Sequence, residues 1–365
     1  MKAPVKKALS YSLSFVLGFG LLGGVLYYVG WRSILTQISA LRWEGILAVT
    51  GDVLLPVCAW VLSWWVILRA YGIRLSLART TGARLSGYAV SYLTPSLYLG
   101  GEPIRAFMVT PHTEAPTTRI FATIVVERFL GGLSMLIFIC IGAFYALVSP
   151  QIAPNQKNLV VAGVAFISFW IIVGLVNFAG NFKWISHLIR MLRIPFSRWR
   201  KGLVNAADKV SETEDEIYNA FRLHWRGTLV AFALQVAANF FIYMRPQVFF
   251  HFSAGTTFNF AQLSLLFTLN IVLSFFLWIT PGGLGTSEAA LIGIFQLVNI
   301  GKEGAVAFSL MFKFVELLIV IAGMFYLLNK GVSHFLARRK RPVQSYREPF
   351  PARGENEETA KRPLR

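Results

Sequence analysis

The chain has 365 residues, of which 55% are hydrophobic and 14% charged, and a mean hydropathy of +0.58. Soluble domains carry about a quarter charged residues, so charges this sparse exclude a solvated globule of this size. The net charge of +18 does not form a nucleic-acid patch. The basic residues fall between apolar runs and in the tail, a placement that suits anionic lipid headgroups and excludes nucleic acid as a partner.

Apolar runs of about 20 residues match a hydrocarbon core roughly 30 Å thick. Lys2, Lys6 and Lys7 precede an apolar run at 9–30 that has no small-x-small cleavage site. That length predicts a retained first helix rather than a cleaved signal. Further spans are predicted at 45–68, 117–148, 157–180, 227–250, 259–279 and 304–328, with a short apolar piece at 286–299 and a weakly apolar one at 84–99. Cys58 and Cys140 lie inside these runs and read as small buried hydrophobes, with no disulfide framework or zinc spacing. The five histidines are scattered, so neither a metal nor a cofactor is expected.

Arg69, Arg74, Arg79 and Arg84 follow the second span, and a basic stretch from Lys183 to Arg226 follows the fourth. The 149–157 loop carries only Lys157, and the 251–258 loop carries no Lys or Arg. Positive charge stays cytoplasmic, so both termini, the 69–84 loop and the 181–226 segment are expected there, in an inner or plasma membrane. An even number of crossings follows, satisfied by counting 286–299 as a short eighth. Residues 1–330 form one transmembrane domain, and 331–365 form a basic tail expected to be disordered.

Within 181–226, Ile185, Leu188, Ile189 and Leu192 share a helical face, and Pro195 breaks the run. Leu203, Ala207, Val210, Ile217 and Phe221 then repeat at heptad-like spacing, interrupted by Glu214. The pattern suits an interfacial helix pair or a solvated helical hairpin.

Two interruptions carry most information. Thr94-Pro95-Ser96-Leu97-Tyr98-Leu99-Gly100-Gly101-Glu102 and Thr280-Pro281-Gly282-Gly283-Leu284-Gly285-Thr286-Ser287-Glu288 both read Thr-Pro, six residues, Glu, at an offset of 186 residues. The offset also relates Glu127 to Lys313, which indicates a degenerate internal repeat. Proline removes a backbone donor and glycine admits conformations that a helix cannot use. Backbone freed at membrane depth must be buried in protein or line a cavity. The breaks therefore rest on Pro95, Gly100, Gly101, Pro281, Gly282, Gly283 and Gly285. Pro103 suits a first helical position and Thr286 or Ser287 an N-cap. Helix N-termini behind such turns favour phosphate or carboxylate, and paired breaks point to a transporter's binding site. Simple kinks for packing are the competing reading.

Lys313 lies about 13 Å into its run, with Glu316 three residues on along one face. Arg245 precedes Pro246 late in the fifth span. Each such charge costs about 2.5–3.5 kcal/mol at a helix centre, so these three need partners or a hydrated cavity. Glu127 and Arg128 are adjacent, face differently and need separate partners. A salt-bridge network that locks the bundle is the alternative to a functional path.

The stretch from Pro95 to Arg105, the Val126–Phe129 segment and the Pro281–Glu288 stretch resemble the lysylphosphatidylglycerol synthetase transmembrane-region family, a flippase-like group of uncharacterised bacterial and archaeal membrane proteins. The resemblance spans about 10–330. The apolar runs themselves predict an all-α polytopic membrane bundle of about eight spans or half-spans, with the two broken segments in an internal repeat. Larger members carry a soluble aminoacyl-transferase domain after this region and are held to flip the aminoacylated lipid. Here a short charged tail follows, so the synthase activity does not carry over and no enzyme is expected. The family often has Arg where this chain has Lys313, which keeps the charge but loses a bidentate fork.

The expected function is a lipid flippase or transporter. Its cavity would be lined by Glu102, Arg105, Glu127, Arg128, Glu288, Lys313 and Glu316. The resemblance implies a phospholipid, aminoacylated lipid, hopanoid or lipid-linked glycan precursor as cargo. The alternatives are an accessory protein that scaffolds a lipid or glycan synthase, and a membrane-embedded lipid-modifying enzyme. The enzyme lacks a catalytic constellation in the sequence.

Overall fold

The computed structural model describes residues 16, 19–94, 100–150, 152, 154–191, 197–277 and 280–331. Pro95, Leu192, Pro195 and the tail beyond 331 lie outside the described residues. All described regular elements are helical: α1 Phe19–Val29, α2 Trp31–Ser39, α3 Trp43–Ala70, α4 Leu77–Leu93, α5 Glu102–Val109, α6 Thr117–Val148, α7 Pro154–Gly180, α8 Trp184–Met191, α9 Ser197–Arg222, α10 Trp225–Ala254, α11 Phe260–Leu277, α12 Thr286–Gln296 and α13 Lys302–Tyr326. Five of these segments are long and apolar enough to cross a bilayer: α3, α6, Val160–Phe178 of α7, α10 and Lys302–Lys330 at α13.

Shifted by the 186-residue offset, α3 maps to 229–256, α4 to 263–279, α5 to 288–295 and α6 to 303–334. These ranges overlie α10, α11, α12 and α13 in turn. The repeat therefore extends over four helices per half. The packing is reciprocal as well: α3 lies along α10, α4 packs on α13, and α11 packs on α6.

Both cross-packings use one device. At Gly323 of α13 a Cβ would strike the Leu85 carbonyl, and at Gly142 of α6 it would strike that of Ser264. Ser86 Oγ donates to Gly323 O (3.2 Å), and Thr268 Oγ donates to Ile139 O (3.1 Å). In lipid, apolar contact alone does not favour helix association. Small residues and hydroxyl hydrogen bonds supply the close approach.

Each short helix turns back along the helix before it, α5 along α4 and α12 along α11. Gly101 N–H donates to Ser91 Oγ at 2.8 Å, and Gly101 lies against the Gly87 backbone, so α5 runs back along α4. In the second half, Phe295 near the end of α12 packs on Phe250 near the end of α10, with ring centroids 5.1 Å apart. Since α11 starts just after α10, the pair α11–α12 enters and leaves at one face. The eighth crossing expected at 286–299 is therefore corrected. At 11 residues, or about 16 Å, α12 is half the core thickness and closes a re-entrant hairpin.

Three further expectations are revised. Cys58 and Cys140 are exposed, because the outer surface of a lipid-bathed bundle is as apolar as its interior. Arg84, expected as a loop charge, sits in α4 with 4% exposure. Glu288 Oε2 accepts from the Gly285 N–H (2.7 Å), so Gly285 is the N-cap, in place of Thr286 or Ser287, and Pro103 is the second helical residue after Glu102.

Outside the bundle, α8 and α9 pair. Glu214 in α9, read as a break in its apolar repeat, is buried. It accepts from the N–H groups of Ile185 (3.2 Å) and Ser186 (3.3 Å), satisfying the free donors at the start of α8. Arg119 of α6 anchors α9 by an ion pair with Glu216 at 2.8 Å.

Candidate functional site

The first break builds a basic cluster. Glu127 in α6, 2% exposed, lies between two guanidinium groups: Arg105 Nη1 at 2.8 Å and Arg84 Nη2 at 3.2 Å. Gln235 of α10 donates to the same carboxylate at 3.0 Å. One residue on, Arg128 reaches Glu102 at the first residue of α5, at 2.8 Å. Adjacent residues on a helix point about 100° apart, so Glu127 and Arg128 take the separate partners their adjacency demands. Arg105 also lies over the Trp64 ring, 4.1 Å from its centroid, and Arg84 over Trp60 at 5.4 Å.

This cluster is unbalanced. Three arginines face two carboxylates, and Arg84 Nε, Arg105 Nε and Arg105 Nη2 are buried without a hydrogen-bond partner among the described residues. Buried donors without acceptors are costly. A further acceptor group, negatively charged to balance the cations, would satisfy both demands.

The second break builds a balanced cluster. Lys313 Nζ donates to Glu288 Oε1 (2.7 Å), Ser287 Oγ (2.6 Å) and Gly283 O (3.1 Å), which uses all three ammonium protons. Glu288, fully buried, also accepts from Ser309 Oγ at 2.9 Å. Gly282, Gly283 and Gly285 have φ of 59°, 63° and 80°, values that strain any residue with a Cβ. The turn presents its carbonyl to Lys313 only because these positions are glycine. The repeat thus pairs its break with the long helix in opposite polarity: Arg105 to Glu127 in one half, Glu288 to Lys313 in the other.

A third cluster joins α3, α10 and α13. Arg245 Nη1 bonds Glu316 Oε1 at 3.0 Å, and Arg245 Nε lies 3.7 Å from Asp52 Oδ2. Glu316 therefore does not pair with Lys313, despite sharing its helix face. Three residues of spacing allow that contact, but helix packing brings each a nearer partner.

The surface of α4 connects the clusters. Arg84, Tyr88 and Tyr92 sit at i, i+4 and i+8 on one face. Arg84 belongs to the first cluster, Tyr88 lies in electrostatic reach of Glu316 and Arg245, and Tyr92 reaches Glu316 and Glu288. Trp60 and Tyr88 ring centroids are 6.5 Å apart, and those of Tyr88 and Tyr92 6.0 Å. Tyr92 also packs on Gly282. All seven residues expected at the site enter these clusters. Arg84, Asp52 and Gln235 are additional members, and sequence inspection missed them. A lone acid in the apolar 45–68 run was the available signal for Asp52. Arg84 was hidden by its arginine-rich surroundings.

The family model for the lysylphosphatidylglycerol synthase TM region matches residues 12–323. A UPF0104 membrane protein of Pyrococcus horikoshii is 22% identical over 84% of this chain and 94% of its own length. One of Methanocaldococcus jannaschii is 25% identical over 87% of this chain and 93% of its own. A third, of Methanothermobacter thermautotrophicus, is 23% identical over 72% and 78%. No solved structure matches significantly.

Proposed function

The chain belongs to the family of the lysylphosphatidylglycerol synthase transmembrane region, and from that premise we propose that it moves a lipid with a phosphate-bearing headgroup between leaflets. The observation that carries this reading is the excess of arginine over carboxylate at the first break, with Arg105 fully buried and two of its nitrogens unpartnered among the described residues. An oxyanion meets that demand, and guanidinium groups suit phosphate oxygens in geometry as well as charge. The headgroup would pass along α4 beside Trp60 and Tyr88 while its chains stay in the bilayer. The balanced Lys313–Glu288 cluster holds the second hairpin in shape and opens as the headgroup passes.

Orientation follows the positive-inside rule, with both termini and α8–α9 cytoplasmic in the inner or plasma membrane. On α8 and just before it, Phe182, Trp184, Ile185, Leu188 and Met191 are exposed beside Lys183 and Arg190. An apolar row edged by cations suits the surface of an anionic leaflet.

The test uses vesicles containing the purified protein, an anionic phospholipid with a fluorescent chain, and an impermeant quencher. Protein-dependent loss of inner-leaflet fluorescence is expected, and Arg105→Met should remove it while the protein still extracts as a folded species. Transfer no faster than in protein-free vesicles, for phospholipids of either headgroup charge, refutes the proposal.

A further inference from the structure

The third cluster has a stoichiometry that lipid binding does not require. Asp52 and Glu316, from α3 and α13, share one guanidinium, that of Arg245 in α10. Glu316 holds it by a hydrogen bond of 3.0 Å. Asp52 faces it at 3.7 Å, beyond hydrogen-bond range, and both Asp52 Oδ2 and Arg245 Nε are buried without a hydrogen-bond partner among the described residues. Asp52 is 5% exposed. A carboxylate that is buried, half-paired and lacking a donor at one oxygen is held poorly in its charged form.

The backbone beside it is weakened at two places. Pro56 lies four residues after Asp52, so the Asp52 carbonyl receives no helical N–H bond. Pro246 directly follows Arg245 and leaves the Ile242 carbonyl in the same state. Each proline thus removes one ladder hydrogen bond from α3 and α10, which run on unbroken and pack along each other at the centre of the repeat. The titratable groups that look onto the triad are Tyr88 and Tyr92 of α4 and Lys313 of α13; Arg84 lies behind Tyr88, and Glu288 behind Tyr92 and Lys313.

We propose that Asp52 and Glu316 form a proton-binding site that competes for Arg245, and that exchange of one proton there drives headgroup movement. The step is balanced: a proton from water adds to the Asp52 carboxylate, making a neutral acid and taking the triad from one net negative charge to none. With Asp52 neutral, Arg245 stays on Glu316. When the proton leaves, Asp52 competes for the guanidinium, and α10 shifts against α3 at the turns that the prolines weaken. Such a two-state element, biased by a proton and by cargo, supplies the coupling that one-directional transport needs. The proton site stands on its own geometry; its link to movement rests on the lipid-transport reading.

Two measurements separate these parts. In the first, infrared difference spectra of the detergent-solubilised protein are recorded between about pH 8 and pH 5. A protonated-carboxyl band should appear as pH falls, be lost in Asp52→Asn, return in Asp52→Glu, and persist in Glu303→Gln, a change at the start of α13. A band untouched by both Asp52→Asn and Glu316→Gln overturns the proposal. In the second, vesicles carry a gradient of about two pH units. The wild type should move the fluorescent phospholipid roughly tenfold faster with the gradient in one direction than in the other, and Asp52→Asn at one rate in both. Wild-type transfer that ignores the gradient overturns the coupling. A titrating Asp52 band in a protein that moves no lipid overturns the transport reading and leaves the proton site standing.

Discussion

Lys313, half-buried, and Arg105, fully buried, are both cations at a helix break, yet they differ in what holds them. Lys313 donates to three acceptors and has Glu288 as its counter-ion. Removing one member of a buried pair strands the other and costs about 3–5 kcal/mol. Lys313→Met should therefore lower the melting temperature in detergent, and adding Glu288→Gln should recover most of the loss. Glu316→Gln, whose partner is Arg245, should not recover it. Additive losses for Lys313→Met with Glu288→Gln would contradict the pairing. Arg105 has nitrogens to spare, so Arg105→Lys is expected to fold normally and still lose anion binding. A melting curve in rising phosphate reads this out: phosphate should raise the wild-type transition and leave that of Arg105→Lys unmoved.

At the scale of elements, the glycines of the two hairpins have separate tasks. Gly101 allows α5 to lie against the Gly87 backbone, where a Cβ has no room. Gly101→Ala should destabilise the first hairpin and lower the melting temperature. Gly293, inside α12, has open space where a Cβ would stand, with nothing within 4 Å, and alanine there removes a flexible residue from a helix interior. Gly293→Ala should raise stability by about 0.5–1 kcal/mol. Equal effects from both changes would show that helix propensity, rather than close approach, governs the breaks. The sequence announced both breaks through Thr-Pro and Gly-Gly, since no helix carries that combination unbroken. It did not announce that each returns, because the direction of the chain after a turn depends on what the next helix packs against.

For the whole molecule, the repeat places the two hairpins on opposite faces: one follows the end of α3, the other the end of α10, and α10 runs antiparallel to its counterpart in an inverted pair. A cysteine at Glu212 in α9 and one at Thr257 after α10 should then react with an impermeant thiol reagent from opposite sides of sealed vesicles, in the background Cys58→Ala with Cys140→Ala. Labelling of both from one side would exclude the inverted arrangement. Since orientation is set by charge near the span ends, reversing the basic residues around α9 should redirect labelling before it disturbs packing.

Composition and run length alone determined that this chain is an all-helical, multi-pass membrane protein, because unpaired backbone and exposed charge are too costly in hydrocarbon to permit another solution. The repeat and the residues of two charged clusters were also readable, since charge inside an apolar run stands out against its surroundings. Tertiary structure alone decided the partners: Lys313 with Glu288 rather than Glu316, Arg84 inside the bundle rather than in a loop, and Asp52 facing Arg245 across α3 and α10. Ion pairing depends on distances of a few ångströms between helices far apart in sequence. Those distances are fixed by glycine contacts such as Gly142 with Ser264 and Gly323 with Leu85, which no one-dimensional pattern encodes.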